Sequence, residues 1–481
     1  TQLDALTSDQ IDGLGVTQIA SLNSTQLGLV ATGQLAQLST SQIQALTTRQ
    51  VAGLSSGQVA SLSTDQVASL KAAQIRAIET ADLQALSSGQ IVSLTRSQVA
   101  SLSYAQVAAL QTDQVAAIET ADLRAFTASQ LAALSTAQIR ALDTEQIASL
   151  APGKLAALGT AAVAAFTTDQ IRALSGSQIA SLTNAQIVAL SSDAFEALDS
   201  AQLGSLSARQ IAAIDTADLA SLSTTTIAAL SSWQTASLTT AQVHALTTGQ
   251  VAAIETQDLA ALRRTQWDAL SSTQVQALGT DQIASLRRLQ LAMISTAAVS
   301  ALTTDQLGAL SGSQLQFMTA AQVGALTTDQ LTGLSTDQIT ALRPDQIAGI
   351  SAGRFVALGT DQIGALRASQ ASHLTTAQLV ALDSDHLGAL STDAISSLGL
   401  RQLQALTTGQ VQTLTTSQVL ALNTAQVRGL TTDQVQAMTT GHWSVLTTDQ
   451  VRAFGTAQIA ALTTMQVQSA STDQLRALDA R

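Results

Sequence analysis

Leu446-Thr447-Thr448-Asp449-Gln450-Val451-Arg452-Ala453 is followed at Phe454 by the start of the same pattern, and this eight-residue period decides the fold. Leu46, Leu54, Leu62 and Leu70 keep the same spacing, and the phase never slips between Leu6 and Leu478. All sixty residues on this grid are apolar, and forty-seven are Leu. We letter the grid position a and the next seven residues b to h. The consensus is Leu, Ser/Thr, Thr, any residue, Gln, Ile/Val, any residue, Ala.

Geometry excludes the simplest reading of such a period. Eight residues at about 100° each leave a drift of about 80° per repeat, so one long helix would keep no apolar face. A coiled coil needs a period of seven or eleven. Ala, Gln and Leu are poor strand residues, and the Gly and Asn turns of a β-solenoid are scarce.

The spacing fits a helix that starts afresh in every repeat. Position b is Ser, Thr, Asp, Asn or Gly in 49 of 60 cases, the set preferred at an N-cap. Position e is Gln in 47 of 60. Ser/Thr-x-x-Gln is a capping box, and the apolar residues at a and f are the two ends of a hydrophobic staple. Pro152 and Pro344 both fall at c, the first helical position, where a missing N–H costs nothing. Asp is common at d, near the positive end of the helix dipole. The sequence therefore predicts an all-α solenoid of about 60 repeats, one capped helix of six or seven residues in each.

Such helices are too short to persist alone and must pack on neighbours. Position h is Ala, Ser or Gly in 53 of 60 repeats, which lets backbones approach. Positions a and f supply the core, and d and g should face water. Asp169–Arg172, Asp449–Arg452 and Asp473–Arg476 are spaced to pair on one helix. The number of repeats per superhelical turn is not legible. Near-copies at Ile78–Leu83 and Ile118–Leu123 lie five repeats apart, and Arg263-Arg264 and Arg287-Arg288 lie three apart.

With two prolines, no cysteine and no linker, residues 1–481 read as one continuous, low-complexity array. It begins and stops at position d without a divergent capping repeat. This predicts a segment of a longer array, or a filament subunit whose ends are covered by copies of itself. The chain is 46% hydrophobic, so disorder is rejected, and the net charge of −12 is dilute over 481 residues. Lys71 and Lys154 are the only lysines, and the two Arg-Arg pairs are the only compact basic clusters, too few for a nucleic-acid binder. No apolar run is long enough to span a membrane.

Chemistry-bearing motifs are sparse. His244, His373, His386 and His442 lie in different repeats without metal-ligand spacing, and no cysteine is present for metal or redox chemistry. Ser and Asp at caps need no catalytic explanation. Gly-rich phosphate loops and calcium loops are absent. Phe195, Trp267, Phe355 and Trp443 sit at f and read as core fillers, whereas Tyr104 at c and Trp233 at d are candidate contact points. The Arg-Arg pairs would join in one basic patch if three repeats closed a turn. The expectation is no enzyme and no catalytic, metal or cofactor residue.

The pattern Leu-Thr-Thr-Asp-Gln-Ile/Val-x-Ala-Leu, as at 302–310, resembles Ala/Thr/Gln/Leu-rich octapeptide tracts of large bacterial exported, adhesin-like surface proteins. That resemblance covers the whole chain and implies an extracellular or cell-surface place. The expected function is structural: an extended rod, fibre or filament whose expected partner is itself, head-to-tail or laterally. The alternative is an adhesion module presenting the solenoid surface to a host, sugar or protein ligand.

Overall fold

A computed structural model describes residues 5–479, in which 59 short helices and no strand occur. The chain divides in sequence into two compact units, 1–246 and 247–481. Each is a solenoid built by the same rules.

One helix lies in each repeat and begins at c, as the cap register predicts. Helices are four to six residues long, apart from Thr472–Asp479 with eight. They are shorter than the expected six or seven because position a leaves the helix. Leu46, for example, has φ −58° and ψ 137°, and the N-cap Thr47 follows at φ −75° and ψ 156°. Two consecutive extended residues therefore turn the chain. No described residue has positive φ, so no repeat needs the glycine that commonly ends a helix.

A helix this short has almost no internally satisfied backbone. Its first four N–H groups and last four carbonyls lack partners within it. Position b supplies the first remedy: the Thr47 hydroxyl accepts the Gln50 N–H at 3.3 Å. Gln50 Oε1 returns the contact, accepting the Thr47 N–H at 2.7 Å. The glutamine half survives where b has no suitable side chain. Ala31 and Lys71 donate their N–H to Gln34 and Gln74 at 3.1 and 2.7 Å.

The second remedy comes from the other end of the same amide. Gln50 Nε2 donates to the Ile19 carbonyl at 2.8 Å and to the Leu22 carbonyl at 2.7 Å. These are the closing carbonyls of the helix four repeats back. Gln378 does the same for Ile347 and Ile350, both at 2.8 Å, and is completely buried. Most glutamines at e repeat this bridge, so position e ties the start of one helix to the end of another.

Helix packing completes the superhelix. Each helix lies against the one three repeats away: Arg96–Ser101 packs on Ala72–Ala77, and Ala320–Ala325 on Pro344–Ala348. Packing at three repeats and bridging at four place between three and four repeats in each superhelical turn. The small residue at h makes the close approach. A Cβ on Gly349 would come within 2.9 Å of the Ala320 carbonyl oxygen, and Ser101 Oγ donates to the Ala72 carbonyl at 3.0 Å. Leu, Ile and Val at a and f form the buried core of each unit.

Candidate interaction surface

The four histidines do not assemble. Among the described residues no group of three His, Cys, Asp or Glu side chains could hold a metal ion. His244 and His373 are exposed, at g and h, and His373 Nδ1 lies 2.9 Å from its own helix at the Ser369 carbonyl. His386 and His442 both occupy e and replace the bridging glutamine. His442 Nδ1 accepts the Thr439 N–H at 3.2 Å, so the proton sits on Nε2, 2.7 Å from the Leu414 carbonyl. Burial holds the His442 pKa below the ordinary histidine value, with the Leu414 contact opposing the shift. His386 Nε2 reaches the Leu358 carbonyl at 2.8 Å, while its Nδ1 lies 2.8 Å from Asp383. The backbone N–H of His386 holds the Asp383 carboxyl below its usual range. Lys154 and Arg354, also at e, donate to the carbonyls of Arg124 and Gly324. All four side chains serve the superhelix.

The aromatic residues at f are core. Phe195, Phe355, Trp267 and Trp443 are buried, and Trp443 stacks on Phe454 with ring centroids 5.1 Å apart. The N–H groups of Trp267 and Trp443 find no acceptor among the described residues. Tyr104 and Trp233 are exposed, in different parts of unit 1. The Asp169–Arg172, Asp449–Arg452 and Asp473–Arg476 pairs form at 3.1, 3.3 and 3.5 Å. They are surface pairs, each contributing at most about 1 kcal/mol.

The Arg-Arg pairs do come together. Arg263 and Arg287, both at b and three repeats apart, line one open groove in unit 2 with Arg288, Leu289 and Met293. Arg264 meets Asp268 at 3.7 Å. Arg263, Arg287 and Arg288 have no carboxylate within ion-pair distance among the described residues. Arg288 instead stacks over Phe317, 5.0 Å from the ring centroid. Leu289 is 74% exposed, and Met293 and Phe317 are exposed beside it. The sequence reading passed over these three apolar residues. Their signal was positional: Leu289 is the one Leu at d, where small or polar residues are usual, and Met293 and Phe317 stand at h, where nearly every repeat is small.

The ALTTAQ repeat family matches residues 30–64, 75–112, 115–152, 150–184, 211–248, 251–287, 379–416, 404–440, 416–448 and 444–480, well over half of the chain. The chain belongs to the ALTTAQ repeat family. No curated protein matches it. Among solved structures, "Structure of APUM23-GGAAUUGACGG" aligns at 11% identity over 88% of this chain and 94% of that one, with a TM-score of 0.15. At that score the alignment carries no argument about fold or ligand. The ALTTAQ assignment establishes a repeat tract without naming a partner. Among the described residues, no helix is long and apolar enough to cross a membrane.

Proposed function

We propose that this ALTTAQ chain is a structural element that assembles with copies of itself into an extended rod, fibre or filament. The observation that carries the reading is the glutamine bridge. Buried amides such as Gln50, Gln178 and Gln378 fasten one superhelical turn to another throughout both units. Reinforcement spread over so many near-equivalent positions suits a part that bears load or spans distance. On this reading the chain carries out no reaction. The resemblance of its octapeptide to exported bacterial repeat tracts supports a place at the cell surface.

Electron microscopy of the purified chain tests the proposal. Long rods or unbranched filaments are the expected result. Particles that stay compact and separate at every concentration would refute it.

A further inference from the structure

We propose that the Arg263–Arg287–Arg288 groove is the docking site for an acidic stripe on a second copy of this chain. The inference rests on the self-assembling reading above and names the surface responsible.

The groove is unusual for this protein. Among the described residues five arginines form an ion pair, each with an aspartate within four residues of it: Arg172, Arg264, Arg343, Arg452 and Arg476. The others stand without one, and what sets the groove apart is that three of these stand together. Three guanidinium groups without such partners therefore concentrate positive charge on a chain of net charge −12. Leu289 and Met293 add exposed apolar surface to the groove lining, and the exposed Phe317 ring lies against Arg288. A patch mixing unneutralised arginines with large apolar side chains has the composition of a protein contact.

The occupant follows from the spacing. Arg263 and Arg287 are three repeats apart and line the same groove. A matching surface must offer carboxylates at the same turn-to-turn interval, and unit 2 does so elsewhere. Asp281, Asp305 and Asp329, all at d, lie three repeats apart on the helices Thr280–Ala284, Thr304–Gly308 and Thr328–Thr332, which pack in succession. Asp337, Asp361 and Asp385 repeat the arrangement on Thr336–Ala341, Thr360–Gly364 and Ser384–Ala389. All six aspartates are exposed. The two intervals agree because one superhelix sets both, and a second copy supplies that interval without further adjustment. Groove and stripe are different surfaces, so the contact is heterologous and propagates into an open assembly unless a rotation closes it.

Sedimentation of the full chain, up to about 0.1 mM, provides the test. Wild type should associate at about 0.01 M salt and lose at least tenfold in affinity near about 1 M, where the Debye length falls from about 30 Å to about 3 Å. Replacing Arg263, Arg287 and Arg288 with Glu should weaken association at least tenfold with an unchanged circular dichroism spectrum. Mixing that variant with Asp281→Lys/Asp305→Lys/Asp329→Lys, or with Asp337→Lys/Asp361→Lys/Asp385→Lys, should restore it in at least one combination. Wild type that is monomeric throughout would overturn both this inference and the self-assembling reading. Wild type that assembles equally well without the arginines would overturn the groove alone. Groove-dependent binding to phosphatidylserine vesicles by a chain that does not self-associate would also overturn it.

Discussion

Replacing Gln378 with Leu separates the two duties of position e. Gln378 is completely buried. Its Oε1 accepts the Thr375 N–H at 2.8 Å and the Thr375 hydroxyl at 3.1 Å. Its Nε2 donates to the Ile347 and Ile350 carbonyls. Ile347 keeps a second partner, because its carbonyl also accepts the Ile350 N–H at 3.2 Å. Leucine therefore strands two backbone groups, the Ile350 carbonyl and the Thr375 N–H. Each costs about 1–3 kcal/mol when buried without a partner. Leucine returns about 1 kcal/mol through its apolar surface, which leaves a net loss of about 1–5 kcal/mol, centred on about 3 kcal/mol. Thr375→Ala removes the hydroxyl that caps the Gln378 N–H at 3.1 Å and touches Gln378 Oε1, strands no buried backbone group of another helix, and should cost about 1 kcal/mol.

Amide hydrogen exchange reads these losses locally, since sub-global openings report regional stability. At about 1.4 kcal/mol per tenfold, Gln378→Leu should lower protection by about 100-fold. The loss should cover both Thr376–Ala381 and Pro344–Ala348, the helix whose end the amide closes. Thr375→Ala should lower protection by about fivefold, around its own helix. Gln378→His, which copies His442, should recover most of the loss at neutral pH. The reasoning fails if Gln378→Leu leaves Pro344–Ala348 as protected as wild type, or costs no more than Thr375→Ala.

Other consequences can be checked directly. Burial lowers the His442 pKa, so the unfolded chain binds that proton more readily; stability should be complete above about pH 6.5 and decline as the pH falls below it. Thermal melts of wild type and His442→Gln should diverge between pH 7 and pH 5 with the variant more stable, and parallel melts would refute the sign. Asp122, also at e, has its pKa raised by burial and then by Glu119. Asp122→Gln restores an amide that can reach the Leu94 carbonyl and should stabilise the chain by about 1 kcal/mol at pH 7, measured by urea unfolding. Gly324→Ala would place a Cβ 2.5 Å from the Gly349 carbonyl oxygen and should destabilise, whereas Gly33→Ala meets nothing within 4 Å and should stabilise by up to about 1 kcal/mol. Equal melting shifts for the two would count against the close approach of Gly324 to the backbone at Gly349. Thr407→Ala, Thr415→Ala and Thr431→Ala should each cost about 1 kcal/mol, and unchanged melting would remove the cap argument.

The helix register was legible in the sequence because it depends on residues within one repeat. Thr47, Gln50, Leu46 and Val51 each obey a local rule, and all four rules select the same start. The superhelix was not legible, because its contacts join Gln50 to Ile19 and Leu22, 31 and 28 residues away. One clue to those contacts lay in the sequence unread. A capping box accepts Glu as readily as Gln, yet none of the five glutamates, Glu79, Glu119, Glu145, Glu196 and Glu255, stands at e. Lys154, Arg354, His386 and His442 do, and each brings an N–H. Carboxylates do occur at e, in Asp82, Asp122, Asp218 and Asp258, and they cannot donate; Asp82 and Asp218 instead accept the Ser56 and Ser192 hydroxyls at 2.6 Å. Donation to a carbonyl therefore accounts for the majority of nitrogen-bearing side chains at e and not for every repeat. The groove stayed hidden for a related reason. The distance from Arg263 to Arg287 has no meaning until three repeats are known to separate packed helices.

The same long-range contacts explain why the period never slips. In many solenoids each repeat meets only its immediate neighbours, and a local irregularity disturbs one interface. Here a helix packs on the third repeat away and is bridged to the fourth. One inserted residue would displace its own amide from two carbonyls and also misalign the helices that straddle the insertion. Positions a, b, e, f and h are held by that requirement, whereas d faces water and g varies except where, as at Gly324, it meets the backbone of a neighbouring repeat. Any difference in function between stretches of such an array must therefore be written at d and g, or in departures at b, c and h that leave the bridge intact. The groove fits this rule. Arg263, Arg287, Arg288, Leu289, Met293 and Phe317 occupy b, b, c, d, h and h, while Gln266 and Gln290 remain at e.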